Sequence, residues 1–208
     1  MMRIIGAMAV CFSLFLFGFT VLNKSATPQN GYNAAEICAE LDHLFMSQSI
    51  PQADFFLMPV GKPNGKGYYN AQAFGKNDHL GDDWNGIGGG NTDFGDEVTS
   101  AGNGWVYKAQ HEGPGWGNVV RIIHRLPDGN EPKYVESLYA HLDKIHVSAG
   151  QMITAGSPVG TIGNADGVYL AHLHLELRSE PKRPLGGGYG LNKEWFLDPT
   201  VFIRNHQK

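Results

Sequence analysis

Residues 171–177 read AHLHLEL, a strict alternation of leucine or alanine with a polar or ionisable side chain. Successive side chains of a β-strand point to opposite faces, so Leu173, Leu175 and Leu177 share one face while His172, His174 and Glu176 share the other. The leucine face is core. The opposite face sets two imidazoles about 6.5–7 Å apart at their Cα atoms, close enough for both to reach one small object, a metal ion or a scissile bond. One short segment therefore commits the chain to a sheet that carries chemistry on one side.

From Asp93 onward, similar β-type runs follow one another: GNGWVYKA, NVVRIIHRL, VESLYAHL, KIHVSAGQMI, SPVGTIG and LAHLHLEL. Turn residues separate them, and the chain has 28 glycines, dense in GDDWNGIGGG and LGGGYG. This texture predicts a mainly β domain, a compact antiparallel sandwich or barrel-like core. One amphipathic helix precedes it: NAAEICAELDHLF places Ile37, Leu41, Leu44 and Phe45 on one face, with Asn33 as N-cap and Glu36 three residues on. WFLDPTVFI reads as a closing segment in which Trp195, Phe196, Val201 and Phe202 cover a core edge. The expected organisation is an N-terminal segment over 1–24, a spacer and helix over 25–50, and a single domain over 51–204.

The N-terminal segment is apolar from Ile4 to Leu22 and ends at Asn23-Lys24. It is an export signal or a retained anchor, since about 20 apolar residues span a bilayer and the small-residue cleavage pattern is poor. Either reading sends the domain out of the cytoplasm, to the periplasm, cell envelope or beyond. Cys11 lies in the apolar run behind a bulky Val10, which argues against a lipid anchor. Cys38 is the only other cysteine, so the exported domain has no internal disulfide. A formal charge of −4 leaves no basic footprint for nucleic acid.

NDHLGDDWNG holds His79 and Asp83, and SLYAHL holds His141 in a strand-like run. Together with His172 and His174, in this order, they resemble the lysostaphin-like zinc metallopeptidases, exported endopeptidases that cut peptide bonds of bacterial peptidoglycan. The resemblance covers residues 76–178 and includes GDEVTSAGNGWV, GWGNVVRIIH and VSAGQMITAGSPVGTIG. It implies one zinc held by His79, Asp83 and His174, with His141 and His172 catalytic. Two imidazoles and a carboxylate leave a fourth position open, as hydrolytic zinc requires. No His-Glu-x-x-His helix supplies a glutamate base, so an imidazole must take the water's proton.

Asp82 falls on the face opposite Asp83 in an extended segment, and Glu176 shares the histidine face as a candidate orienter of an imidazole. Some family members carry an oxyanion-donating tyrosine six residues before the first histidine; here that position is Ala73, and Tyr68 or Tyr69 are the substitutes at hand. His124 reads as a packed or exposed strand residue, and His43, His111, His146 and His206 as surface residues. Two other functions are considered. A biotinyl or lipoyl carrier needs a lysine at its hairpin tip, and Val147–Ile162 has none. A catalytically inactive relative that activates another wall hydrolase is expected to lose ligands, and all five residues are present.

Overall fold

The computed structural model describes residues 31–129 and 132–207; the apolar run over 4–22 and the first part of the spacer lie outside them. Tyr32–Lys208 form one compact unit. The short apolar and β-branched runs become ten strands: β1 Tyr68–Gln72, β2 Asp82–Gly86, β3 Glu97–Thr99, β4 Gly104–His111, β5 Asn118–Arg125, β6 Tyr134–Ile145, β7 Met152–Ile153, β8 Pro158–Ile162, β9 Leu173–Arg178 and β10 Phe196–Leu197. Two α-helices flank them, α1 Ala34–Ser47 and α2 Pro199–Asn205. Among the described residues no helix is long and apolar enough to cross a membrane.

Antiparallel pairing orders the strands β1-β2-β9-β6-β5-β4-β7, with β10 beside β9. The path ends at β1 and β7, so the sheet is open; it does not close into the barrel that the sequence left possible. The reason lies in β6, which pairs with β9 through Glu136–Ala140 and with β8 from Leu142 onward, across a register shift between Leu142 and Lys144. A strand that changes partner at a bulge bends the sheet, here folding β8 and β3 into a second layer.

The main core fills the space between these layers. Leu173, Leu175 and Leu177 meet Val120, Ile122, Val135 and Tyr139 from the sheet, Val98, Val159 and Ile162 from the second layer, and Phe56 and Ile203. On the opposite face, Leu41 and Phe45 of α1 pack against Ile123 and Tyr134, so the helix is part of the same unit as the sheet. Asn33 caps α1, its side-chain oxygen accepting from the N–H groups of Ala35 and Glu36 at 3.2 and 3.4 Å.

A strap over residues 180–190 covers the rest of this face. Arg178 donates to the carbonyls of Pro184 and Leu185, and Arg121 to that of Arg183. Glu176 and Arg178 are buried beneath it, so the polar face of β9 reaches the cleft only at its His174 end, beside His172. The C-terminal segment also differs from its expected form. Asp198 caps a seven-residue helix that buries Ile203 and packs Phe202 on Phe56, while Val201 points outward. A helix of two turns opening on Pro199 carries too little periodicity to be seen in sequence.

Candidate metal centre and catalytic cleft

Register places the first pair of candidate ligands. Asp83 of β2 lies directly opposite His174 of β9, and their side chains meet at 2.9 Å between Oδ1 and Nδ1. His79 comes from outside the strand, at the end of a short helical turn over Lys76–Asp78, and its Nε2 lies 3.0 Å from His174 Nδ1 and 3.4 Å from Asp83 Oδ1. The segment can approach β9 this closely because residue 81 is glycine: a Cβ there would stand 2.4 Å from the carbonyl oxygen of Leu175. The donor atoms of His79, Asp83 and His174 all lie within 4.8 Å of one another.

Hydrogen bonds on the far side of each ring choose the tautomer. His79 donates from Nδ1 to the Gln72 carbonyl at 3.1 Å, and His174 donates from Nε2 to Glu176 Oε1 at 3.2 Å. The facing nitrogens, His79 Nε2 and His174 Nδ1, are thereby left as lone pairs beside a carboxylate, an arrangement that calls for a cation. The chain alone answers with a proton. Burial opposes protonation of His174, but the hydrogen bonds and charges of Asp83 and Glu176 outweigh it and raise its pKa to about 9. Burial likewise opposes the charge of Asp83, and His174 holds that carboxyl below its ordinary value. A set of two imidazole nitrogens and one carboxylate oxygen, mostly buried and open on one side, fits zinc.

His141 and His172 stand beside this group, their rings 4.7 Å apart, with His172 Nε2 3.6 Å from Asp83 Oδ1. Both are oriented by carbonyls: His141 donates from Nδ1 to Trp116 and His172 from Nδ1 to Leu170, at 3.2 and 2.8 Å. In each ring Nε2 is the nitrogen not held by a carbonyl. Burial first, then the charges of His174 and His172, push the His141 pKa down to about 3, so its imidazole is neutral at pH 7. Strict alternation along β6 would send His141 to the core face with Tyr139. Its backbone instead adopts a left-handed conformation, φ 61°, which breaks the alternation just before the register shift and turns the ring to the site.

A cleft of about 420 Å³ opens over the five residues. Its walls are aromatic and glycine-rich: Trp116 from the β4–β5 loop, Tyr169 from the β8–β9 loop, and Gly187, Gly188 and Tyr189 from the strap. No lysine or arginine lines it among the described residues. Trp116 is pinned by donating from its indole nitrogen to the Gly186 carbonyl at 3.2 Å, and Tyr189 lies 5.0 Å from the His79 ring and donates to Gln72 Oε1. Sequence reasoning missed these walls; aromatics flanked by glycine, GWG and GYG, were the available signal.

The neighbours sort clearly. Asp82 is buried away from the cleft, accepting from the backbone of Phe74 and from the backbone and hydroxyl of Thr200. Glu176 touches His174, as above. Tyr68 donates to Asp96 and, like Tyr69, does not line the cleft. The glycine-rich loop after β2 does not line it either; Asn85 and Asn91 grip the backbone of Ala171, the residue before His172. His124 is fully buried between the Asn103 carbonyl and the Ser137 hydroxyl, and His111 is a half-exposed partner of Asp166.

Residues 83–185 match peptidase family M23. No curated protein matches the sequence by direct comparison. Among solved structures, lysostaphin from Staphylococcus simulans is 20% identical over 67% of this chain and 50% of its own, with a TM-score of 0.50. A solution structure of lysostaphin is 19% identical over 68% and 52%, with a TM-score of 0.52. A zinc-containing peptidase from Vibrio cholerae is 27% identical over 60% and 37%, with a TM-score of 0.48. The two lysostaphin likenesses show a common fold, and the chain spans about half the length of that protein.

Proposed function

Because the chain belongs to the lysostaphin-like peptidase family M23, we propose that it is an exported zinc endopeptidase that hydrolyses peptide bonds in bacterial cell-wall peptidoglycan. The observation that carries the reading is the convergence of His79 Nε2, His174 Nδ1 and Asp83 Oδ1 on one point beside the imidazoles of His141 and His172, each held through Nδ1 by a carbonyl. Zinc held by those three atoms supplies Lewis acidity toward a water and a peptide carbonyl.

The chain's own residues do the rest. One imidazole of the His141–His172 pair takes the proton of the attacking water at Nε2, and the pair returns a proton to the leaving amine nitrogen. Trp116, Tyr169 and Tyr189 wall the peptide and limit access of bulk water. Such a substrate lies outside the cytoplasmic membrane, and the apolar run over 4–22 supplies the route.

A non-catalytic activator of another hydrolase is the competing reading, and one experiment separates the two. Purified full chain is assayed for bound zinc and incubated with purified cell walls, and released muropeptides are read by mass spectrometry. The enzyme reading expects about one zinc per chain and new peptide termini at one bond type. Walls left intact by a zinc-loaded chain would remove it.

A further inference from the structure

Two buried glutamate–arginine pairs lie side by side under the strap, and they differ in one respect. Glu136 of β6 accepts from Arg121 Nε at 2.7 Å, and the pair holds the strap through the Lys182 N–H and the Arg183 carbonyl. Glu176 of β9 accepts from Arg178 Nε at 2.8 Å and from its Nη2, and Arg178 holds the strap through the carbonyls of Pro184 and Leu185. All four side chains are essentially without solvent exposure. Only Glu176 also touches a candidate ligand, through its second oxygen on His174 Nε2.

We infer that Glu176 and Arg178 are positioning residues that fix His174 with Nδ1 toward the metal and tie that ring to the wall of the substrate cleft. This rests on the zinc reading above. A buried imidazole with no partner at Nε2 is free to carry its proton on either nitrogen, and half of those choices remove the Nδ1 lone pair that faces Asp83 and His79. Glu176 Oε1, placed to accept from Nε2–H at 3.2 Å, selects one choice. Its other oxygen accepts from both Nε and Nη2 of Arg178, which offsets the cost of burying the carboxylate and holds it in place. Arg178's remaining donation then seats Pro184 and Leu185, two to five residues ahead of Gly187 and Tyr189 in the cleft wall. The chain Tyr189–strap–Arg178–Glu176–His174 is thus continuous, and the Arg121–Glu136 pair is its built-in control: same chemistry, same burial, same strap, no imidazole.

The test compares Glu176→Gln with Glu136→Gln by zinc competition against a chromophoric chelator. Glu176→Gln is expected to weaken zinc binding about 10- to 100-fold, whereas Glu136→Gln, which loses an equivalent buried charge, should hold zinc as the wild type does. Equal zinc affinities in both variants, or equal losses in both, overturn the inference, since either result makes the two pairs interchangeable. Should Glu176→Gln not fold, ¹⁵N-histidine NMR of the zinc-loaded wild type decides. A protonated Nε2 on His174, protected from exchange, is expected, and coordination through Nε2 overturns the proposal. Failure of the wild type to bind zinc would instead fall on the functional reading itself.

Discussion

His124 and His141 are both buried imidazoles held neutral, and only His141 opens onto the cleft. His124 is closed in on all sides, and burial pushes its pKa down to about 4. Against an unfolded value of about 6.5, the unfolded chain binds the proton more readily. The neutral ring's contribution is therefore complete above pH 6.5 and is lost as pH falls through 4, by about 3 kcal/mol. His124→Gln should narrow its stability gap to wild type between pH 7 and pH 4.5 in urea melts; a constant gap would sink this account. At the cleft, atoms sort the histidines differently. His174→Ala and Asp83→Ala should lose bound zinc, while His141→Ala and His172→Ala should keep it and lose about 10²- to 10⁴-fold in turnover. Zinc content measured beside rate separates the sets, and full retention in the first two variants would void the ligand assignment.

At the scale of elements, β9 is the segment on which core and chemistry meet. Leu175 is fully buried between Tyr139 and Asp82 of the neighbouring strands, so Leu175→Ala should cost about 2–5 kcal/mol. An unchanged melting temperature would contradict the packing. Gly81→Ala should act on the site instead, because a methyl group 2.4 Å from the Leu175 carbonyl forces the His79–Asp83 segment off β9. Its expected signature is weakened zinc binding with far less loss of stability than Leu175→Ala, read by competition titration and thermal melt. The alternation of 171–177 was legible because both faces are set by neighbours two residues apart. The turn of His141 was not, since a left-handed residue at a bulge follows from how β6 passes from β9 to β8.

For the molecule as a whole, a metal at this site would link β9, β2 and the turn before β2. Binding to the folded chain alone stabilises it by mass action, about 2.7 kcal/mol at a free zinc concentration 100-fold above the dissociation constant. For a chain of this size that is roughly 5–10 °C in melting temperature. Chelation should remove the increment and added zinc restore it; identical melts with and without chelator would contradict a site formed in the native state.

What the sequence determined by itself was local or short in range. Side-chain periodicity marked β9 and α1, turn-bounded runs marked β4 to β8, the Asn33 cap was visible from its hydrogen-bonding chemistry, and His79, Asp83, His141, His172 and His174 stood out by residue type, order and family resemblance. Tertiary structure decided whatever depended on distant segments meeting. The sheet stayed open because β6 changes partner midway, and the polar face of β9 was buried because a strap from residues 180–190 is drawn over it by two arginines. Trp116 and Tyr189 became walls of one cleft although 73 residues separate them. Periodicity records which way a side chain points within its own strand; which backbone will lie across from it is set by register and crossover, and these exist only once the sheet has formed.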